Sequence, residues 1–181
     1  MKNLLFIALV LLCTASFAQQ GNFKLDNERI TWQNVYHTEN PKANIKKTFE
    51  NNEHLTITNS SENTLYGRVV NLGLDYDKPG LEDVKPSKNL DTTNIFNGNF
   101  RVDFHDNGYQ VSVWNLTTTI TDYVYTGSGA GIRKQIASPV EKLLLRRNKK
   151  DFRKDFYNTH GKVIDFALTD LMDVHREGDN L

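Results

Sequence analysis

The stretch that decides the fold is Asn99-Phe100-Arg101-Val102-Asp103-Phe104-His105-Asp106-Asn107-Gly108-Tyr109-Gln110-Val111-Ser112-Val113-Trp114-Asn115-Leu116. Apolar and polar residues alternate on both sides of Asn107-Gly108, as in two strands that each have one buried and one wet face. Asn-Gly is the strongest two-residue turn signal, because both turn positions require positive φ. Counting outward sets Asp106 opposite Tyr109, Phe104 opposite Val111 and Val102 opposite Val113, so apolar residues meet on one face. The other face sets Arg101 against Trp114 as a cation–π pair. A hairpin over 99–116 is predicted.

Outward from this hairpin the pattern repeats. Glu28 to Thr38 is rich in β-branched and aromatic residues and reads as a strand. Asn40-Pro41 is a helix start, and Ile45 and Phe49, one turn apart, give the helix to about Asn51 its inward face. His54 to Thr58 and Thr64 to Leu72 read as strands joined by Ser60-Ser61-Glu62-Asn63. Gly73 to Gly98 holds few apolar residues and three breakers, Pro79, Gly80 and Pro86; at that length it is expected to be mobile or functional.

Thr117 to Tyr125 continues as strand or irregular edge, and Gly127-Ser128-Gly129-Ala130-Gly131 reads as a flexible connection to the next helix. Ser138-Pro139-Val140-Glu141 is a capping box, and the helix it opens is expected to run through Phe152 and Phe156 to a break at Asn158-Thr159-His160-Gly161. A last helix, Lys162 to about His175, carries Ile164, Ala167, Leu168 and Leu171 on one stripe. The result is an α+β domain: an antiparallel sheet of five to six strands, in strand–helix–strands–helix order, with the C-terminal helices packed on one face.

The N-terminus adds a location. Lys2, the apolar run Leu4 to Leu12 and Ser16-Phe17-Ala18 make the three parts of a secretory leader cleaved before Gln19. Its apolar run is too short for a membrane span of ~20 residues, and no later segment resembles one. Cys13, preceded by Leu12 rather than a small residue, reads as part of that run rather than as a lipidation site. It is the only cysteine of the chain, so disulfides, thiolate chemistry and cysteine-based zinc sites are excluded for the rest. Removing eighteen of 181 residues leaves 163, enough for one domain with a real core. The expected organisation is a leader over 1–18, a polar lead over 19–27, the domain over 28–176 and a polar tail over 177–181. Net charge is zero, and −1 once Lys2 is gone, so no global field recruits a polyanion.

The strand Ile30-Thr31-Trp32-Gln33-Asn34-Val35-Tyr36, with Gly98-Asn99-Phe100-Arg101-Val102-Asp103-Phe104 before Asn107-Gly108-Tyr109-Gln110-Val111-Ser112-Val113, resembles an exported bacterial family, the domain-of-unknown-function 4468 family. The resemblance covers about Glu28 to Leu116. It implies a TBP-like fold and an exported location, and supplies no chemistry. Gln110 after Tyr109 departs from the basic pair that often flanks that aromatic in the family. "TBP-like" describes topology, and a chain of near-zero charge makes a poor nucleic-acid binder, so no nucleic-acid partner is expected.

Catalytic patterns are sparse. His37, His54, His105, His160 and His175 include no pair at one-turn spacing and no HExxH, so no metal is expected, nor any cofactor. His105 between Asp103 and Asp106 reads as ordinary turn polarity. Tyr125-Thr126-Gly127-Ser128-Gly129 lacks the first glycine of a hydrolase elbow, and its glycines lack the parallel βαβ unit of a nucleotide site. Asn59-Ser60-Ser61 and Asn115-Leu116-Thr117 fit the N-glycosylation pattern, and no motif selects a carboxylate pair.

What remains is a charge run. Arg146, Arg147, Lys149, Lys150, Arg153 and Lys154 face only Asp151 and Asp155 within 146–156. It reads either as the solvated face of a helix, with Phe152 and Phe156 pointing inward, or as a contact for anionic lipid or lipopolysaccharide. The expectation is a non-catalytic envelope domain that binds an envelope protein or a small ligand, with 73–98 and the glycine loop as its binding surface. A lipid or small-molecule carrier is the alternative, its cavity between sheet and C-terminal helix lined by Trp32, Tyr36, Phe100 and Trp114. A carboxylate hydrolase is the third reading.

Overall fold

A computed structural model describes residues 21–87, 90–125 and 131–175. The predicted leader and tail and most of the glycine loop lie outside these residues. The elements, in chain order, are β1 (Phe23–Asp26), β2 (Arg29–His37), α1 (Lys42–Asn51), β3 (Leu55–Ser60), β4 (Thr64–Leu72), β5 (Phe96–His105), β6 (Gly108–Tyr125), β7 (Gly131–Pro139), α2 (Glu141–Leu144), a 3-10 turn (Phe156–Asn158) and α3 (His160–Met172). The strands form an open antiparallel sheet in the order β1-β2-β6-β5-β4-β3, with β7 pairing β6. β6 is eighteen residues long and has two partners on one edge. Its first half pairs β2 (Thr31 with Trp114 through His37 with Gly108), and its second half pairs β7 (Thr117 with Pro139 through Tyr125 with Gly131). No described helix is long and apolar enough to cross a membrane.

Alternation decides which face is buried. Trp32, Tyr36, Tyr109, Val111, Val113, Phe100, Val102, Phe104, Leu65, Val69 and Leu55 share one face, and helix residues Ile45, Phe49, Val163, Ile164, Leu168 and Met172 complete the same core. Phe49 of α1 stacks on Phe100 at 6.1 Å and meets Tyr109 edge-on at 6.0 Å. Three sheet aromatics latch α3. Trp32 Nε1 donates to Asp165 Oδ1 at 2.6 Å, Tyr36 OH to the Thr169 carbonyl at 3.3 Å, and Tyr109 OH to the Met172 carbonyl at 2.8 Å. Burial raises both tyrosine hydroxyls well above the ordinary phenol range, which keeps them donors.

Several expectations are corrected. Residues 23–26 are a strand rather than a polar lead: Phe23 is buried against Phe156 at 5.1 Å, and Phe23 to Asp26 pair with Trp32 to Arg29. Four residues are too few for alternation to announce a strand. The hairpin exists, but its register differs by two positions. His105 pairs Gly108, Phe104 pairs Tyr109, Val102 pairs Val111 and Phe100 pairs Val113, so Asp106-Asn107 is the turn. A two-residue shift keeps every side chain on its predicted face but moves its partner. Arg101 accordingly opposes Ser112, not Trp114, and lies over the Tyr66 ring at 5.4 Å. Asn107 is not left-handed; Gly108 is, at φ 144, and a Cβ there would sit 1.9 Å from the Tyr36 carbonyl. The glycine is required by the neighbouring strand, not by the turn.

The segment between β4 and β5 is packed rather than free. Leu74, Tyr76, Leu81, Val84 and Leu90 are buried, and Tyr76 OH donates to the Leu90 carbonyl at 3.0 Å. Burial, with Asp91 nearby, pushes that hydroxyl up to about 12. Its apolar residues are irregularly spaced, so neither period reveals them. The glycine loop leads to β7, not to a helix. The predicted capping box does not form: Glu141 Oε1 accepts from the Ile30 N–H at 3.0 Å, and α2 is one turn long. Six polar residues lie between Leu145 and Phe152, so a helix there would have no apolar stripe. Leu145 and Phe152 pair instead and close a loop whose tip holds left-handed Lys149 (φ 55).

Thr118 and Ser138 are cross-strand partners, both 1% exposed, and neither hydroxyl has a hydrogen-bond partner. Leaving a buried hydroxyl unpaired costs about 1–3 kcal/mol, whereas removing both can be neutral or favourable. Thr118→Val combined with Ser138→Ala should therefore stabilise the domain by about 1 kcal/mol in urea unfolding; a loss of stability would show that the hydroxyls are solvated inside.

Candidate functional site

Two surfaces stand out. The first is a groove where the start of β2 and the end of β7 meet along the β6 edge, with a volume of about 400 Å³. Its walls come from Glu28 and Arg29 at the β1–β2 turn, Asn115 to Thr117 of β6, Pro139, Glu141 and Lys142 beyond β7, and Lys149 of the basic loop. Of the five left-handed non-glycine residues among the described ones, four belong to this corner: Asn27 (φ 48), Glu28 (φ 63), Asn115 (φ 52) and Lys149 (φ 55). Asn115 marks a bulge in β6: Trp114 points away from the core while Leu116 re-enters it. Polar contacts fix the walls. Arg29 Nη1 donates to Asn115 Oδ1 at 3.3 Å, Lys149 Nζ to Glu28 Oε2 at 3.1 Å, and the Val140 N–H to the Leu116 carbonyl at 3.1 Å. Three cations (Arg29, Lys142, Lys149) line the groove against two carboxylates (Glu28, Glu141).

The basic run adjoins this groove through Lys149, on and just beyond the loop that Leu145 and Phe152 close. Arg146, Arg147, Lys149, Lys150, Arg153 and Lys154 are all exposed. Lys149 is engaged with Glu28, and Arg153 donates to the carbonyls of Leu145 (3.3 Å) and Lys142 (3.4 Å). Among the described residues, Arg146, Arg147, Lys150 and Lys154 have no carboxylate within 4 Å. The structure thus brings the six predicted cations together. The groove residues from 28–29, 115–117 and 139–142 gave no local signal, because three distant segments assemble them.

The second surface is the uncovered face of the sheet. Lys24, Thr31, Trp114, Asn99, Arg68 and Thr56 form one row across six strands. Gln33, Ser112, Arg101 and Tyr66 form the next, wired by Gln33 Nε2 to Ser112 Oγ at 2.9 Å and Arg101 Nε to Asp103 Oδ1 at 2.8 Å. None of these side chains is buried.

The four aromatics expected around a cavity are not brought together. Trp32, Tyr36 and Phe100 sit in the core at 0%, 7% and 0% exposure, while Trp114 is on the opposite face, half-buried. Ser87 Oγ lies 3.4 Å from His160 Nε2, but it also accepts from the Leu90 N–H at 3.1 Å and so closes its own turn. Burial holds the His160 imidazole below its ordinary range, with Asp155 opposing and Arg153 adding to that shift. Among the described residues no group of three His, Cys, Asp or Glu is placed to hold a metal ion.

An open antiparallel sheet carrying a few helices, with a basic corner, is the class these features define. No family model and no curated protein matches the chain. Two crystal structures are similar to it. One is a TBP-like protein from Parabacteroides distasonis, 13% identical over 84% of this chain and 96% of that one, with a TM-score of 0.48. The other is a DUF4468 family protein from Bacteroides ovatus, 12% identical over 83% of this chain and 82% of that one, with a TM-score of 0.38. These are the two names that the sequence resemblance carries.

Proposed function

We propose that this chain is an exported, non-catalytic binding domain whose basic loop docks on phosphate-bearing head groups of the cell envelope. The observation that supports it is the run over 146–154: six exposed cations in nine residues, four of them with neither a carboxylate nor a backbone carbonyl as side-chain partner among the described residues. Net charge near zero makes this a local attraction rather than a global one. Each lysine or arginine near an anionic bilayer contributes about 1 kcal/mol, so four give reversible, salt-sensitive association.

The chain should co-sediment with phosphatidylglycerol vesicles at 20 mM salt and release near 500 mM, beyond the reach of a screened field. Arg146→Glu with Arg147→Glu and Lys150→Glu should abolish retention while leaving the unfolding midpoint within about 0.5 kcal/mol of the parent, as for surface changes generally. Equal retention on phosphatidylcholine vesicles, or none on either, rules the reading out.

A further inference from the structure

We propose that the uncovered sheet face is a second binding site, for a carboxylate-bearing oligosaccharide, with Trp114 as its stacking platform. Three observations carry this. Trp114 lies half-buried on the sheet face opposite the one that α1 and α3 cover, and among the described residues its indole N–H meets no acceptor and its ring no other ring. An aromatic with an apolar ring face and a free polar edge suits a partner that is apolar on one side and hydroxylated at its rim, as a pyranose is. Second, its cross-strand neighbours are a hydroxyl on one side (Thr31) and a planar amide on the other (Asn99). Both are groups that exchange hydrogen bonds with sugar hydroxyls.

Third, the same row carries a cation on each side of Trp114. Lys24 lies two strands from Trp114 on one side and Arg68 two strands on the other. With strands ~4.8 Å apart this is a span of ~19 Å, the reach of a short oligosaccharide laid across the strands. Neither cation has a carboxylate within 4 Å among the described residues, the Lys24 ammonium donating only to the neutral Gln33 Oε1, whereas Arg101 in the next row is already paired with Asp103. A carboxylate on a flanking sugar therefore finds an unneutralised partner on either side, which a neutral glycan leaves unused. Among the non-core side chains of this face Val35 is one of only two exposed large apolar residues in the described chain, so the face offers little to an apolar partner.

This site is independent of the basic loop, and the test keeps the two apart. Calorimetric titrations with alginate oligomers are run on the full chain carrying Arg146→Ala, Arg147→Ala and Lys150→Ala, so that the loop cannot capture the polyanion. Binding should persist in that background, fall at least tenfold with Trp114→Ala, and be largely kept by Trp114→Phe. Arg68→Ala should weaken it several-fold and flatten its salt dependence. Malto-oligosaccharides of equal length should bind at least tenfold more weakly. No heat with alginate, equal affinity for the neutral sugar, or an unchanged Kd in Trp114→Ala would each overturn the proposal, whatever the vesicles show.

Discussion

Gly108→Ala should cost this domain about 3–5 kcal/mol, the sum of left-handed strain and overpacking. The added methyl group would sit 1.9 Å from the Tyr36 carbonyl and 3.0 Å from the His37 Cα, both backbone atoms of β2. Backbone cannot rotate away as a side chain can, so β2 must lift from β6 at its His37–Gly108 end. At ~2–4 °C per kcal/mol for a chain of this size, the melting midpoint should fall by about 6–20 °C. Asn107→Ala is the informative control. Asn107 is not left-handed, so its replacement should cost less than about 1 kcal/mol. A cost for Asn107→Ala close to that of Gly108→Ala would mean that Asn107 is left-handed as well, as in an Asn107-Gly108 turn.

Phe100→Ala should be nearly as damaging, at about 3–5 kcal/mol, because the ring is fully buried and its site cannot collapse. Phe100 fills the space that Gly67 leaves on β4: a Cβ on Gly67 would meet Phe100 Cε1 at 2.5 Å and the Thr56 carbonyl at 2.6 Å. Phe49 stacks on its other side. With α1 above and β4 beside it, the cavity has rigid walls. Phe100→Leu, which keeps most of the volume, should cost clearly less. Trp114→Ala, on the uncovered face, should cost under about 1 kcal/mol. Urea unfolding of the three variants measures all of this. A small loss for Phe100→Ala would mean that the ring lines a space another group can fill, which is what the carrier reading needs.

The sequence made strands and faces legible wherever alternation lasted. β2, β3, β4 and the β5–β6 pair, and the inward Ile45 and Phe49 of α1, are where period 2 and period 3.6 place them. It failed where a local signal competed with a non-local one. Ser138-Pro139-Val140-Glu141 has every residue of a capping box, yet Ser138 is drawn into β7 by Thr118 and Glu141 by the Ile30 N–H. Asn107-Gly108 looked like a turn because Gly108 is indispensable, though for a contact with a strand seventy residues earlier. The basic loop was visible as a run of charge. The groove beside it was not, because no pattern in one segment reports that three will meet.

The latches on α3 have a consequence for how the chain comes to be folded. Asn22 and Trp32 both donate to Asp165, Tyr36 reaches Thr169 and Tyr109 reaches Met172, so the earliest strands find their acceptors only in the final helix. Contacts between such remote parts of a polymer form late and slowly. A nascent chain growing from its N-terminus therefore holds this seam open until α3 has emerged, and the sheet alone cannot close it.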